Sequence, residues 1–215
     1  MANINEAAVA ANTKQATKER VSSVRYIAVT GLLSAVAYVL MMIEIPLPMI
    51  MPTFIKFDFS DLPALIGAFS MGPVCGVLIE LIKNLLHSGF SMSFGVGELS
   101  NFMLGAVFAA VAGLVYKFNK NKKGAVIAAI SGAAAMAVAS LPLNYFIVYP
   151  VYYNFMPKEV ILQAYQAIIP GMKSIFQSLV CFNLPFTLCK GLIDALITFL
   201  IYKHISPFLK GTGRN

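Results

Sequence analysis

Ionisable and amide side chains interrupt the apolar runs of this sequence, and they are the first candidates for chemistry. They are Glu80, Lys83, Asn84, His87, Glu98, Asn101, Asn144, Asn183, Lys190 and Asp194. An ionisable group at the centre of a bilayer costs about 2.5–3.5 kcal/mol on insertion scales, so such groups usually face a cavity or a partner. Amides, ammonium groups and carboxylates can together hold a polar ligand by hydrogen bonds. The set therefore predicts a polar-lined binding pocket.

Patterns for breaking bonds are missing from the same sequence. It contains no G-x-x-x-x-G-K-[ST] phosphate loop, no H-E-x-x-H and no G-x-S-x-G. Its two histidines, His87 and His204, are predicted at opposite faces of a membrane, with His87 at the interface, so no metal site is expected. We predict a binding protein rather than an enzyme. An intramembrane enzyme using Glu80, Glu98 and Lys190 is the alternative.

Local explanations compete with the pocket for several of these residues. Glu80 and Lys83 are three residues apart and could pair on one helical face, as could Lys190 and Asp194, which are four apart. Asn144 follows Pro142, which frees backbone groups that an amide could satisfy. The sequence leaves these alternatives open.

Composition shows which kind of protein must position these side chains. Of 215 residues, 59% are hydrophobic and only 12% are charged, whereas soluble domains carry about 25% charged residues. This excludes a soluble enzyme and predicts a chain that crosses the lipid bilayer several times. The net charge of +7 then indicates basic cytoplasmic loops rather than nucleic-acid binding.

The spacing of charges predicts an all-α membrane protein with six transmembrane helices. Met71-Gly72-Pro73 punctuates one apolar run, because Gly and Pro together end one helix and suit the first turn of the next. The basic loop 117–123 is then cytoplasmic, and so are both termini. The predicted helices are Tyr26–Ile43, Leu62–Ser70, Pro73–His87, Glu98–Tyr116, Gly124–Val148 and Ser174–Lys203.

Three regions are predicted along the chain. Residues 1–24 form a polar cytoplasmic segment without the apolar core of a signal peptide, residues 25–205 form the membrane-embedded binding domain, and residues 206–215 form a cytoplasmic tail. Residues 149–171 are expected outside or at the interface, with a short amphipathic helix at Val160–Ile169. The three cysteines, Cys75, Cys181 and Cys189, are expected to be small core hydrophobes.

The outer loop Ile45–Asp61 has the composition of a lid over the pocket. Three prolines stiffen it, and Phe57 and Phe59 alternate with Lys56 and Asp58, as in a strand with one apolar face. With Phe54 just ahead, such a loop could cover a flat aromatic ligand, so Phe54, Lys56 and Asp58 are candidate contacts. A plain interfacial anchor is the alternative. The tyrosines expected to form an aromatic belt at the same surface are Tyr145, Tyr149, Tyr152 and Tyr153.

Small residues at helical spacing predict close helix contacts. Thr30 and Ser34, and likewise Gly31 and Ala35, are four apart on the first helix, and the fifth helix is rich in Gly and Ala from Gly132 to Ala139. Such faces could pack inside the bundle or dock another membrane subunit.

Six short motifs in a fixed order resemble one family of membrane proteins. They are Phe57-Asp58-Phe59-Ser60-Asp61-Leu62-Pro63, Met71-Gly72-Pro73-Val74-x-Gly76, Leu81-Ile82-Lys83-Asn84, Gly95-Val96-Gly97-Glu98-Leu99-Ser100-Asn101-Phe102, Leu143-Asn144-Tyr145 and Pro185-Phe186-Thr187-x-x-Lys190-Gly191. Together they resemble the riboflavin-specific S component of energy-coupling factor transporters, from about Arg25 to Lys203.

The resemblance implies a six-helix vitamin-binding subunit in the cell membrane, with an outward-facing site capped by the first outer loop. Riboflavin would be its transported ligand rather than a cofactor. The ligand would pass through a separate module made of a transmembrane scaffold and two ATPases. Gly31 and Ala35 resemble the surface by which family members dock on that scaffold.

The resemblance also assigns roles to residues of the pocket. It implies that Asn144 and Lys190 contact the flavin. Thr187 stands where the family motif has Asn, and Asn183, one turn earlier, could compensate. Lys83 and Asn84 match the family pattern as well. Glu98 is added because of its predicted depth and because a carboxylate can accept from ribityl hydroxyls. An S component for another vitamin remains an alternative, because pocket residues rather than the fold set specificity.

Overall fold

The computed structural model describes residues 23–91 and 93–210, with side chains through residue 201. The predicted segment 1–24 and the tail 206–215 therefore lie almost wholly outside the described side chains. The chain is mostly helical. In order, its elements are α1 (Ser23–Met41), β1 (Ile45–Pro46), β2 (Lys56–Phe57), α2 (Asp61–Met71), α3 (Pro73–Ser88), α4 (Val96–Phe118), α5 (Lys122–Leu143), a π-helical turn (Asn144–Val148), α6 (Tyr149–Tyr152), α7 (Lys158–Gln166), α8 (Ile175–Ser178), a second π-helical turn (Leu179–Asn183) and α9 (Leu184–Lys210).

Four of the described helical stretches are long and apolar enough to cross a membrane: Ser23–Met41, Val96–Phe118, Lys122–Tyr152 and Ile175–Ile201. Helix α2 has 11 residues and α3 has 16, which at 1.5 Å per residue gives about 16 Å and 24 Å. The six-crossing count therefore stays a prediction. A membrane protein built mainly of helices is confirmed, with one departure from all-α: the two-residue strands β1 and β2.

The predicted break between α2 and α3 is confirmed. Gly72 separates the two helices with a φ of 103°, and Pro73 occupies the first turn of α3. A positive φ is strained for residues with a side chain, so glycine suits this position. Proline lacks the backbone N–H that would be unpaired in a first turn. The sharp reversal brings α3 back against α2 and α4.

Gly76 lies where these three helices meet. A Cβ atom on this residue would come within 2.9 Å of Ala64 O, Ala68 Cβ and Ala109 Cβ. Helices α2, α3 and α4 therefore meet with almost no space between their backbones.

We expect Gly76→Val to destabilise the protein by about 1–3 kcal/mol, the usual cost of forcing extra atoms into a packed interior. The midpoint of thermal unfolding in detergent measures the effect. Gly31→Val is the matched control, because nothing lies within 4 Å of a Cβ at Gly31. Equal midpoints for the two variants would contradict the packing described.

The two small-residue faces have different surroundings. On α5, Ala129, Gly132 and Ala133 are buried, and α5 packs against α4 and α9, so this face packs inside the bundle. On α1, Thr30 and Ser34 are buried, and the Thr30 hydroxyl lies 3.2 Å from the Cys75 sulfur. The other face of α1, which carries Gly31 and Ala35, is exposed.

The expectation for the cysteines is right for Cys75 only. Cys75 is buried, whereas Cys181 and Cys189 are exposed. The cause is general for membrane helices: lipid tails are as apolar as a protein core, so an apolar neighbourhood in sequence does not distinguish a lipid-facing position from an interior one.

Candidate ligand-binding site

A cavity of about 540 Å³ opens between the β1–β2 loop and the adjoining ends of the long helices. Its volume falls within the range of about 300–1,000 Å³ usual for small-molecule sites. Its polar lining consists of Glu44, Thr53, Lys56, Asp58, Asp61, His87, Ser93, Glu98, Ser100, Asn101, Asn144, Tyr149, Tyr152, Asn183, Thr187 and Lys190. Among the predicted contacts, the cavity brings together Phe54, Lys56, Asp58, Glu98, Asn144, Thr187 and Lys190.

The loop between α1 and α2 forms one side of this cavity, as the lid prediction requires. Strands β1 and β2 pair antiparallel, with Ile45 opposite Phe57. Phe54 points inward, where its ring centroid lies 5.8 Å from that of Tyr152 and 6.1 Å from that of Tyr165. Lys56 forms an ion pair with Glu44 across the hairpin. The loop therefore contributes both aromatic and charged groups to the site.

Lys190 on α9 is tied to two acids next to the lid. Its Nζ lies 3.2 Å from Asp58 Oδ2 and 3.0 Å from Asp61 Oδ2. All three residues are buried. The alternative ion pair with Asp194 is not formed, because Lys190 pairs with Asp58, just before α2, and with Asp61, the first residue of α2. Both carboxylate oxygens of Asp194 are buried without a hydrogen-bond partner in the described part of the chain.

Lys83 and Asn84 lie behind the cavity wall rather than on it. The Lys83 Nζ donates to Ser60 Oγ at 2.7 Å and lies 2.5 Å from Asp61 Oδ1 and 2.7 Å from Glu80 Oε2, which confirms the Glu80–Lys83 pair. Asn84 donates back to the Glu80 carbonyl of its own helix at 2.8 Å. Asp61 thus joins Lys83 in the interior to Lys190 at the cavity.

Glu98 lines the cavity but is already engaged by the protein. His87 Nδ1 lies 2.8 Å from its Oε1, and the hydroxyls of Ser91 and Ser93 donate to its Oε2 at 2.7 and 3.1 Å. His87 is only 7% exposed, so it packs inside the protein, and its depth relative to the membrane interface stays a prediction. Glu98 is the acidic partner of His87, and the spacing of residues around His87 in the sequence did not indicate it.

Both π-helical turns place an asparagine at the cavity. Asn144 begins the first and Asn183 ends the second. An extra residue in a helical turn rotates the side chains that follow, and such turns are frequent at functional sites. Asn144 accepts a hydrogen bond from the Ser100 hydroxyl at 3.1 Å. The Asn144 amide is therefore held by a side chain of α4. Its role is not limited to bonding the backbone groups that Pro142 leaves free.

The four tyrosines predicted to form an aromatic belt differ in exposure. Tyr145 and Tyr153 are exposed, but Tyr149 and Tyr152 are buried and line the cavity. Tyr165, near the end of α7, is fully buried and was not among the predicted residues. No pattern in the sequence marks these tyrosines as different from interfacial ones.

Two phenylalanines flank the cavity from separate loops. Phe94 and Phe155 stack with centroids 4.7 Å apart and ring planes at 4°. Phe94 has a φ of 56°, a strained conformation for a residue with a side chain.

The described residues contain no cluster of three or more His, Cys, Asp or Glu side chains that could hold a metal ion.

Comparison with known proteins shows the family to which this chain belongs. Residues 25–202 match the family described as ECF transporter, substrate-specific component. The chain is 34% identical over 185 residues to the riboflavin transporter RibU of Staphylococcus aureus (strain TCH60), covering 84% of this chain and 89% of that protein. It is 30% identical over 192 residues to the riboflavin transporter FmnP of Bacillus subtilis (strain 168), covering 87% and 95%.

A solved structure gives the same result at the level of the fold. It is described as "Structure and mechanism of the S component of a bacterial ECF transporter", and it superposes with a TM-score of 0.68 at 31% identity, covering 86% of this chain and 97% of that one. Apolar helices around a polar cavity are the architecture expected of a substrate-binding membrane subunit. The chain belongs to the family of substrate-specific (S) components of ECF transporters. The prediction that it is not an enzyme is confirmed, since these relatives are named transporters.

Proposed function

We propose that this chain is the riboflavin-binding S component of an ATP-driven vitamin uptake system. The observation that carries the proposal is the combination of groups in the cavity: donors at Asn144 and Lys190, carboxylates at Asp58 and Glu98, and aromatic walls that include Phe54. An isoalloxazine ring has flat apolar faces and an edge rich in acceptors, and the ribityl chain is rich in hydroxyls. The relatives named riboflavin transporters support the same ligand.

Individual contacts follow from this chemistry. Lys190 and the Asn144 amide donate to the ring edge, with Thr187 beside them on α9. Asp58, Glu98 and Lys56 face the ribityl hydroxyls, and Phe54 covers the ring. Lys83 and Asn84 act from behind the wall, where Lys83 holds Asp61 and Asp61 in turn holds Lys190.

The proposal is tested by the absorbance spectrum of the detergent-purified chain and by quenching of riboflavin fluorescence. We expect bound flavin that persists through gel filtration, or saturable quenching when riboflavin is added. Thiamine and biotin at equal concentration should not compete. Competition by one of them, together with a colourless protein that does not quench riboflavin, would assign a different vitamin.

We place the protein in the cell membrane with six crossings, cytoplasmic termini and the cavity facing outward. Helices α2 and α3 supply the two crossings beyond the four long stretches. Two arguments support this orientation: the basic loop around Lys120 is then inside, and the β1–β2 loop and α7 lie together at the cavity end.

The energy for transport comes, in this proposal, from a partner module made of a transmembrane scaffold and two ATPases. The cavity and its lid provide binding only. Reconstituted alone in liposomes, the chain should therefore bind riboflavin without ATP-dependent net uptake. Such uptake by the isolated chain would contradict this part of the proposal.

The exposed face of α1 that carries Gly31 and Ala35 is the surface on which we place the scaffold. We expect Gly31→Leu to leave riboflavin affinity within about twofold of wild type, because nothing lies within 4 Å of a Cβ at this position. Uptake by the assembled transporter should fall at least about tenfold, because the larger side chain prevents close approach of the scaffold helix. Parallel assays of binding and uptake measure the two effects. Val126→Leu, at an exposed site on α5, is the control, and an equal loss in it would argue against a docking surface on α1.

A further inference from the structure

A chain of three hydrogen-bonding side chains connects the short helix α7 to the cavity. The Tyr165 hydroxyl donates to Asn183 Oδ1 at 2.7 Å, and the Tyr149 hydroxyl is hydrogen-bonded to that of Tyr165. Tyr165 is 0% exposed, Tyr149 2% and Asn183 7%. Tyr149 and Asn183 line the cavity, whereas Tyr165 lies behind them.

The direction of each bond in this chain follows from the available protons. Burial raises the pKa of Tyr165 well above its usual value, so its hydroxyl keeps its proton. That single proton goes to Asn183, so Tyr149 must be the donor to Tyr165. The carbonyl oxygen of the Asn183 amide is thereby engaged on the side away from the cavity. Its NH2 group has two N–H bonds, and the Tyr149 hydroxyl is the one neighbour among the described residues that interacts with this amide besides Tyr165, so at least one N–H is available to the cavity.

Asn183 also lies in line with two other polar residues of the cavity. Asn183, Thr187 and Lys190 follow one another at spacings of four and three residues, so they share one helical face, and all three line the cavity. The face can present an amide NH2, a hydroxyl and an ammonium group. A wall rich in donors calls for a ligand edge rich in acceptors.

We propose that Asn183 is a specificity-determining ligand contact that donates from its NH2 group to an acceptor on the isoalloxazine edge, and that Tyr165 is the residue that positions it. This rests on the proposed function. The ring edge carries two carbonyl oxygens and two unprotonated nitrogens as acceptors and a single N–H as donor. Ribityl hydroxyls, which must also donate, are better matched by Asp58 and Glu98 on the other elements.

The sharpest test is Asn183→Asp, because it changes only the group that faces the cavity. Tyr165 still has an oxygen to bond, while the NH2 donor becomes a carboxylate oxygen. At pH 8, where the carboxyl is expected to be ionised, we expect riboflavin binding to weaken by about 10- to 100-fold, the range for leaving a buried acceptor without its donor. Lumiflavin, which has the ring but no ribityl chain, should lose affinity by the same factor. Fluorescence quenching with the full chain in detergent measures both.

The positioning role of Tyr165 is tested by coupling. We expect Tyr165→Phe to weaken riboflavin binding by about 3- to 10-fold in the wild-type background, the effect of one lost hydrogen bond. In the Asn183→Leu background the same change should weaken binding by less than about twofold, because the tyrosine acts through Asn183. Tyr153→Phe, the same change at an exposed tyrosine outside the cavity lining, is the control and should bind normally.

The possible outcomes separate this inference from the proposed function. Normal affinity in Asn183→Asp, or a loss for riboflavin without a loss for lumiflavin, would overturn the contact with the ring edge while leaving riboflavin as the ligand. An equal effect of Tyr165→Phe in both backgrounds would overturn the positioning role. Failure of the wild-type chain to bind riboflavin at all would overturn the proposed function and this inference with it.

Discussion

Lys190→Met is expected to weaken riboflavin binding by at least about 100-fold, the largest effect on affinity that we expect from any single change. Lys190 is buried at the cavity with its Nζ 3.2 Å from Asp58 and 3.0 Å from Asp61. Removing one partner of a buried charge pair costs about 2–5 kcal/mol, much of it from the charge left behind. The Asp58 carboxylate would then be left near the acceptor-rich edge of the flavin without its cation, while Asp61 would keep Lys83.

Titration of riboflavin fluorescence in detergent measures this loss. Lys173→Met is the matched control, because Lys173 is exposed and lies outside the cavity lining, and its variant should bind normally. Adding Asp58→Asn to Lys190→Met should recover part of the affinity, because it removes the carboxylate that has lost its cation, whereas Asp61 keeps Lys83. Affinity of Lys190→Met within about threefold of wild type would contradict the assigned contact.

Lys83→Met is expected to cause the largest loss of stability, about 3–5 kcal/mol in the free energy of unfolding. The Lys83 side chain is 0% exposed and lies between Asp61, which is 1% exposed, and Glu80, which is 0% exposed. Methionine is apolar and fills a similar volume, so the cost comes mainly from the unpaired acids. Asp61 would keep only Lys190, and Glu80 would lose its partner on α3.

Unfolding in mixed micelles followed by helix content measures the change. Lys56→Met breaks the ion pair with Glu44 on the lid, where the two side chains are 30% and 27% exposed, and is the control. We expect it to cost less than about 1 kcal/mol, as exposed pairs usually do. A Lys83→Met variant as stable as Lys56→Met would show that the interior acids find other partners.

Much of the fold could be predicted from the sequence because it depends on local features. Long uncharged runs predict α1, α4, α5 and α9, since each residue in such a run can be buried in lipid at little cost. The break at Gly72 follows from backbone conformation and from the missing N–H of proline. The π-helical turns at Asn144 and Asn183 could not be predicted, since no local pattern distinguishes them from ordinary helix.

The site was predicted in outline but not in its connections. The sequence placed Asn144, Thr187 and Lys190 among the ligand contacts, and they line the cavity. It did not predict that Lys190 pairs with Asp58, which is 132 residues away, or that Lys83 lies behind the wall. The tyrosine chain from Tyr149 to Asn183 was missed, because interfacial and buried tyrosines have similar sequence surroundings.

The sequence by itself determined that this is a helical membrane protein, which polar residues interrupt its helices, and where the helix between residues 61 and 88 must break. Hydrophobicity, charge and the special backbones of Gly and Pro act over a few residues, so these features can be recognised without a fold. Only the tertiary structure decided which face of each helix meets the cavity and which charges pair. Lipid and protein interior are equally apolar, so facing direction carries little sequence signal, and ion pairs between distant elements such as Asp61 with Lys190 exist only once the helices have packed.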